Sequence, residues 1–119
     1  MLDTFVVQEI TVGKAGESEA VSVESAAGRT SLLTLVITGI LEQQSINVSI
    51  WGSSDGETWA GKPLTVFPQK FYTGVHQLVL DLSRHSDTRF LKAGWAVNRW
   101  RVGDPAPQFT FMIKIQEQA

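Results

Sequence analysis

The stretch Phe109-Thr110-Phe111-Met112-Ile113-Lys114-Ile115 sets four large apolar side chains at every second position, and that period of two recurs along the chain. In an extended strand successive side chains point to opposite faces, so the pattern gives one apolar and one wettable face. Ile46, Val48 and Ile50 alternate with Asn47, Ser49 and Trp51. Leu78, Leu80 and Leu82 share a face, as do Leu91, Ala93, Trp95 and Val97. Shorter β-branched or alternating runs lie at 5–12, 20–24 and 64–67. Residues 30–40 are dense in Leu, Val and Ile, the pattern of a strand buried on both faces. No stretch of ten or more residues carries a helical stripe.

Turn chemistry divides these runs. Gly13-Lys14-Ala15-Gly16, Ala27-Gly28, Ser54-Asp55-Gly56, Tyr72-Thr73-Gly74 and Gly103-Asp104-Pro105-Ala106-Pro107 supply residues that tolerate or impose turn geometry. Residues 83–87 suit one helical turn or a loop. About eight short strands between turns predict an all-β fold. The expected architecture is a two-sheet antiparallel β-sandwich, jelly-roll or immunoglobulin-like, formed by residues 1–119 as one domain, with a closed barrel as the alternative.

Length and charge narrow the function. A chain of 119 residues, 43% apolar and 18% charged, can bury a core without disulfides, and it has no cysteine. That removes thiol catalysis and thiolate metal sites. Net charge is −2, and no run of Lys or Arg could neutralise a row of phosphates, so neither nucleic acid nor an anionic membrane is an expected partner. The N-terminal segment lacks a signal-peptide pattern, and no apolar run could span a bilayer, so a soluble, cytoplasmic or particle-bound protein is expected.

Catalytic signatures are missing. Ser83, His85 and Asp87 supply triad residue types, but as close neighbours in a polar loop without a nucleophile elbow. His76 and His85 lack metal-ligand spacing, and no acidic loop has the density of an EF-hand. No glycine-rich phosphate loop is present. We therefore expect no enzyme activity, no metal and no cofactor.

The string Ser53-Ser54-Asp55-Gly56-Glu57-Thr58-Trp59 reads as a hairpin turn, with Thr58 and Trp59 opening the next strand. It resembles the Asp-box of sialidase-type propellers, though it occurs once and is one residue short between Asp and Gly. With Ile46 to Ile50 before it, and Arg89-Phe90-Leu91-Lys92, the Gly103 to Pro107 turn and Phe109 to Ile113 after it, the chain over roughly 30–116 also resembles β-sandwich accessory modules of phage virion proteins and carbohydrate-binding-like sandwiches. That resemblance implies a non-enzymatic structural or binding module.

Four tryptophans are the strongest lead to a site. Alternation places Trp95 in the core, and Trp51 and Trp100 on the outside, where an amphipathic ring suits an interface. A one-residue slip would reverse these placements. Five of ten basic residues fall between Arg84 and Arg101, while Glu9, Glu17, Glu19, Glu24 and Glu42 crowd the first part of the chain, so ion pairs within or between subunits are expected. The candidate ligand or interface residues are Trp51, Trp59, Trp100, Asp55 and Arg99. The favoured reading is an assembly protein that self-associates as a homo-oligomer or docks on a larger complex. The alternative is a carbohydrate-type binding module using exposed tryptophans.

Overall fold

The computed structural model describes residues 3–40, 44–59, 61–68, 73–85, 87–99 and 109–117. Five long strands carry the alternation: β1 (Asp3–Val12), β4 (Thr30–Ile40), β5 (Gln44–Ser53), β8 (Phe90–Arg99) and β9 (Phe109–Glu117). Between them lie β7 (Gly74–Asp81) and the two-residue strands β2 (Gly16–Glu17), β3 (Val21–Ser22) and β6 (Thr65–Val66). Two single 3-10 turns, Glu24–Ala26 and Leu82–Arg84, are the helical elements among the described residues.

The strands form two antiparallel sheets. One runs β1-β9-β4-β7; the other runs β2-β8-β5-β6, with β3 also paired to β8. If β2 and β3 are taken as one interrupted strand, successive strands switch sheets everywhere but at β5 and β6, and every other pair of neighbours within a sheet is distant in sequence. That order is the doubled Greek key of a jelly roll, and it selects the jelly roll over the immunoglobulin-like and barrel alternatives.

The two inner faces make the core. Leu33, Leu35 and Ile37 of β4 and Phe109, Phe111, Ile113 and Ile115 of β9 face Ile46, Val48 and Ile50 of β5 and Leu91, Ala93 and Trp95 of β8. All are buried, and each large aliphatic or aromatic side chain among them contributes about 1.5–3 kcal/mol by leaving water. Trp95 meets Phe111 across the sheets edge to face, centroids 5.5 Å apart at 73°. The last inward position of β9 is Glu117, whose buried carboxylate accepts from Arg29 Nη1 at 2.9 Å.

Four expectations change. Residues 30–40 are buried on one face only: Ser31, Leu33, Leu35 and Ile37 are covered, whereas Leu32, Thr34 and Val36 are half-exposed. Nothing described packs a third layer on that sheet, so a near-continuous apolar run marks an outer face left apolar rather than a doubly buried strand. Residues 20–24 give only the two strand residues of β3 before the 3-10 turn begins. The glycine-flanked segment 13–16, read as a turn, ends by pairing with β8 as β2. Thr58 and Trp59 do not open a strand. β6 begins at Thr65, because Ser53 and Asp55 take the backbone N–H groups that a tight hairpin would give to the ladder.

Candidate functional site

The outer face of the β2-β8-β5-β6 sheet carries a groove. On β5 the outward positions are Asn47, Ser49 and Trp51; opposite them on β8 stand Ala96, Gly94 and Lys92. β2 adds Glu17, paired with Gly94. The small residues Gly94 and Ala96 leave a trough along the middle of the sheet, about 570 Å³ in volume, with Trp51, Trp59 and Lys92 among its walls.

Trp51 is held by local geometry. Its indole N–H donates to Ser49 Oγ at 3.2 Å, two residues earlier on the same face. A Cβ built on Gly94 would stand 3.3 Å from Trp51 Nε1 and 3.7 Å from its Cδ1. The indole therefore folds across the strand boundary over bare β8 backbone, a position that any larger residue at 94 would contest. Ser49 Oγ is itself 3.5 Å from the Gly94 carbonyl oxygen.

Trp59 is placed by the loop before it. Ser53 Oγ accepts from the N–H groups of Asp55 (3.2 Å) and Gly56 (2.9 Å). Its single proton lies within reach of the Thr58 carbonyl oxygen (2.6 Å) and Asp55 Oδ1 (2.9 Å). Asp55 Oδ1 accepts from Glu57 N–H at 2.9 Å and Thr58 N–H at 2.8 Å. The Thr58 N–H first, then the Glu57 N–H and the Ser53 hydroxyl, stabilise the carboxylate and lower its pKa from 3.8 to about 2. Gly56 adopts φ +81°, which glycine takes at least cost. Asp55 thus braces the loop that delivers Trp59.

Lys92 ties the parts together. Its ammonium sits 4.6 Å from the Trp59 ring centroid and forms an ion pair with the Glu17 carboxylate. The Lys92 side chain is 18% exposed and the Glu17 side chain 61%, so the cation is the sheltered member of the pair. This is one of the expected links between the basic stretch and the acidic first part of the chain.

The other sequence candidates fall elsewhere. Trp95 lies in the core, its indole ring 3.1 Å from where a Cβ on Gly16 would stand, and its edge reaches the groove beneath β2. Arg99 ends β8 with its backbone paired to Gln44; its side chain lies outside what the structure describes, and Trp100 lies outside the described residues altogether. His76 is half-buried on β7 and His85 follows the second 3-10 turn. Ser83 is committed to Asp81, whose carboxylate accepts from its hydroxyl (2.5 Å) and its N–H (3.0 Å) and is held below the usual range mainly by those two bonds. Among the described residues no three His, Cys, Asp or Glu side chains gather as metal ligands.

Gly94, Lys92 and Glu17 were not singled out as a site from sequence. The outward row Asn47-Ser49-Trp51 is legible by alternation, but which residues of β8 and β2 stand beside it depends on register between segments up to 80 positions apart.

No family model matches the chain, and no curated protein matches it in sequence. A chain from the structure of infectious bursal disease virus, Gx strain, superposes with a TM-score of 0.61 at 8% identity, over 96% of this chain and 31% of that one. A chain from the structure of Broad Bean Stain Virus covers 91% of this chain and 58% of its own at 10% identity, with a TM-score of 0.37. This chain therefore spans about a third of the bursal disease virus chain. At 8% identity the likeness to the bursal disease virus chain is one of fold.

Proposed function

We propose that the protein is a non-enzymatic structural module that assembles through its outer surface, as part of a larger particle. The observation that carries this reading is the uncovered face of the β1-β9-β4-β7 sheet. Val75 and Val79 on β7 are 63% and 60% exposed, the two most exposed large apolar residues described. Register extends each into a row: Val75 lies beside Val36 and then Met112, and Val79 beside Leu32. Phe5 on β1 adds a further exposed ring to the same sheet. β7 is also the terminal strand of its sheet, and no described strand pairs with its outer edge. An apolar edge of this kind is a template for pairing with another chain.

A second copy of this chain is the partner that the edge suits most directly, because two β7 strands can meet antiparallel about a twofold axis with the same valines on both sides. Likeness of fold to the bursal disease virus chain supports a place in a particle.

The test is size-exclusion chromatography with light scattering over a concentration series. The wild-type chain is expected to form a concentration-dependent oligomer. The double variant V75K/V79K should remain monomeric with an unchanged thermal midpoint, since both side chains are already in water. A wild-type chain that stays monomeric at millimolar concentration overturns self-assembly.

A further inference from the structure

We propose that the groove on the outer face of the second sheet binds a neutral pyranose glycan, with Trp51 as the stacking platform. Three observations point to that chemistry. First, the groove joins two half-buried indoles to a floor of Gly94, Ala96, Asn47 and Ser49, so apolar ring faces and hydrogen-bonding groups share one small surface. A pyranose has the same duality: its C–H face is apolar and its rim is a circle of hydroxyls.

Second, the charges in the groove cancel. Lys92 is paired with Glu17, and both can still direct a donor and an acceptor toward hydroxyls. An anionic ligand would have to displace Glu17 from Lys92, whereas a neutral hydroxyl-rich ligand leaves the pair intact. Third, the site is held before any ligand arrives. Ser49 fixes the Trp51 indole, the absent side chain of Gly94 lets it lie across β8, and Asp55 braces the loop bearing Trp59. A fixed aromatic platform loses little conformational freedom on binding.

The inference is independent of assembly through β7, which lies in the other sheet. The experiment uses the full chain, titrated with cellohexaose, chitohexaose and mannohexaose, and with an oligo-galacturonate as an acidic counterpart. Binding is read by calorimetry and by the indole N–H resonances, Trp51 being assigned as the peak missing from W51F. At least one neutral hexasaccharide should bind saturably and shift the Trp51 peak. W51A should weaken binding about tenfold or more, and W51F should recover most of that loss, since a phenyl ring restores a stacking face. Far-ultraviolet circular dichroism confirms that both variants fold. Failure of all three neutral glycans, binding confined to the acidic oligosaccharide, or neutral binding undiminished by W51A each overturns the proposal.

Discussion

The Trp51 indole lies over Gly94, whose missing side chain leaves the ring room to rest on the neighbouring strand. The pair is cross-strand and diagonal: Trp51 is in register with Lys92, and Gly94 with Ser49. Replacing Gly94 by Val puts a branched side chain where the indole sits. We expect Trp51 to swing into water, its emission to shift to longer wavelength, and the fold to lose about 1–3 kcal/mol from crowding. Fluorescence and urea unfolding of G94V check both parts; an unchanged spectrum would show that the ring does not depend on the gap.

Asp55 makes stability depend on acid. Its carboxyl has a folded-state pKa of about 2 against 3.8 for the free group, so between these values the unfolded chain binds more protons than the folded one. Its contribution is full well above the free value of 3.8 and is lost progressively as pH falls below that value and through about 2. Asp81 is displaced in the same direction and adds to the slope. Urea midpoints measured from pH 6 to pH 2 should fall across that window, and D55N should show a shallower fall, because its amide does not titrate.

Trp95 should be costlier to remove than Trp51 or Trp59. It is 9% exposed, meets Phe111 edge to face, and supports β2 through the backbone of Gly16. Trp95→Ala leaves a cavity between the sheets and should cost about 3–5 kcal/mol by chemical unfolding. Truncating Trp51, on the outer face, should cost far less.

Glu117 is an acid at an inward position. Arg29 donates to it at 2.9 Å from a side chain that is 67% exposed, while the Glu117 side chain is 4% exposed. Arg29→Ala removes one compensating charge from a buried carboxylate. The loss should be about 1–2 kcal/mol, below that of a fully buried pair because water already screens the arginine. Adding Glu117→Gln should recover part of it, measured as a double-mutant cycle.

Alternation made the inner faces of β5, β8 and β9 legible, because one face must be dry and a slip would turn every side chain over. It also set Trp51 outward and Trp95 inward. Two kinds of information were out of reach. The run 30–40 carries apolar residues on both faces, and only the exposure of Leu32, Thr34 and Val36 among the described residues tells an apolar outer face from a buried one. The groove was hidden for a different reason: Glu17, Asn47 and Lys92 meet through strand order, and local sequence carries no record of which strands become neighbours. In the Ser53–Trp59 segment the composition signalled a turn correctly, yet side-chain capture of the N–H groups decided its shape.

The position of β9 has a consequence for how the chain is made. It follows every other described strand in sequence and is an inner strand in space, between β1 and β4. Until the ribosome has delivered it, β1 lacks the one described strand it pairs with, and β4 has a described partner on one side alone. The second sheet needs nothing after β8, so it can gather first and present its inner face to water. Formation of the first sheet must then await β9, whose insertion joins residues more than a hundred positions apart in a single step.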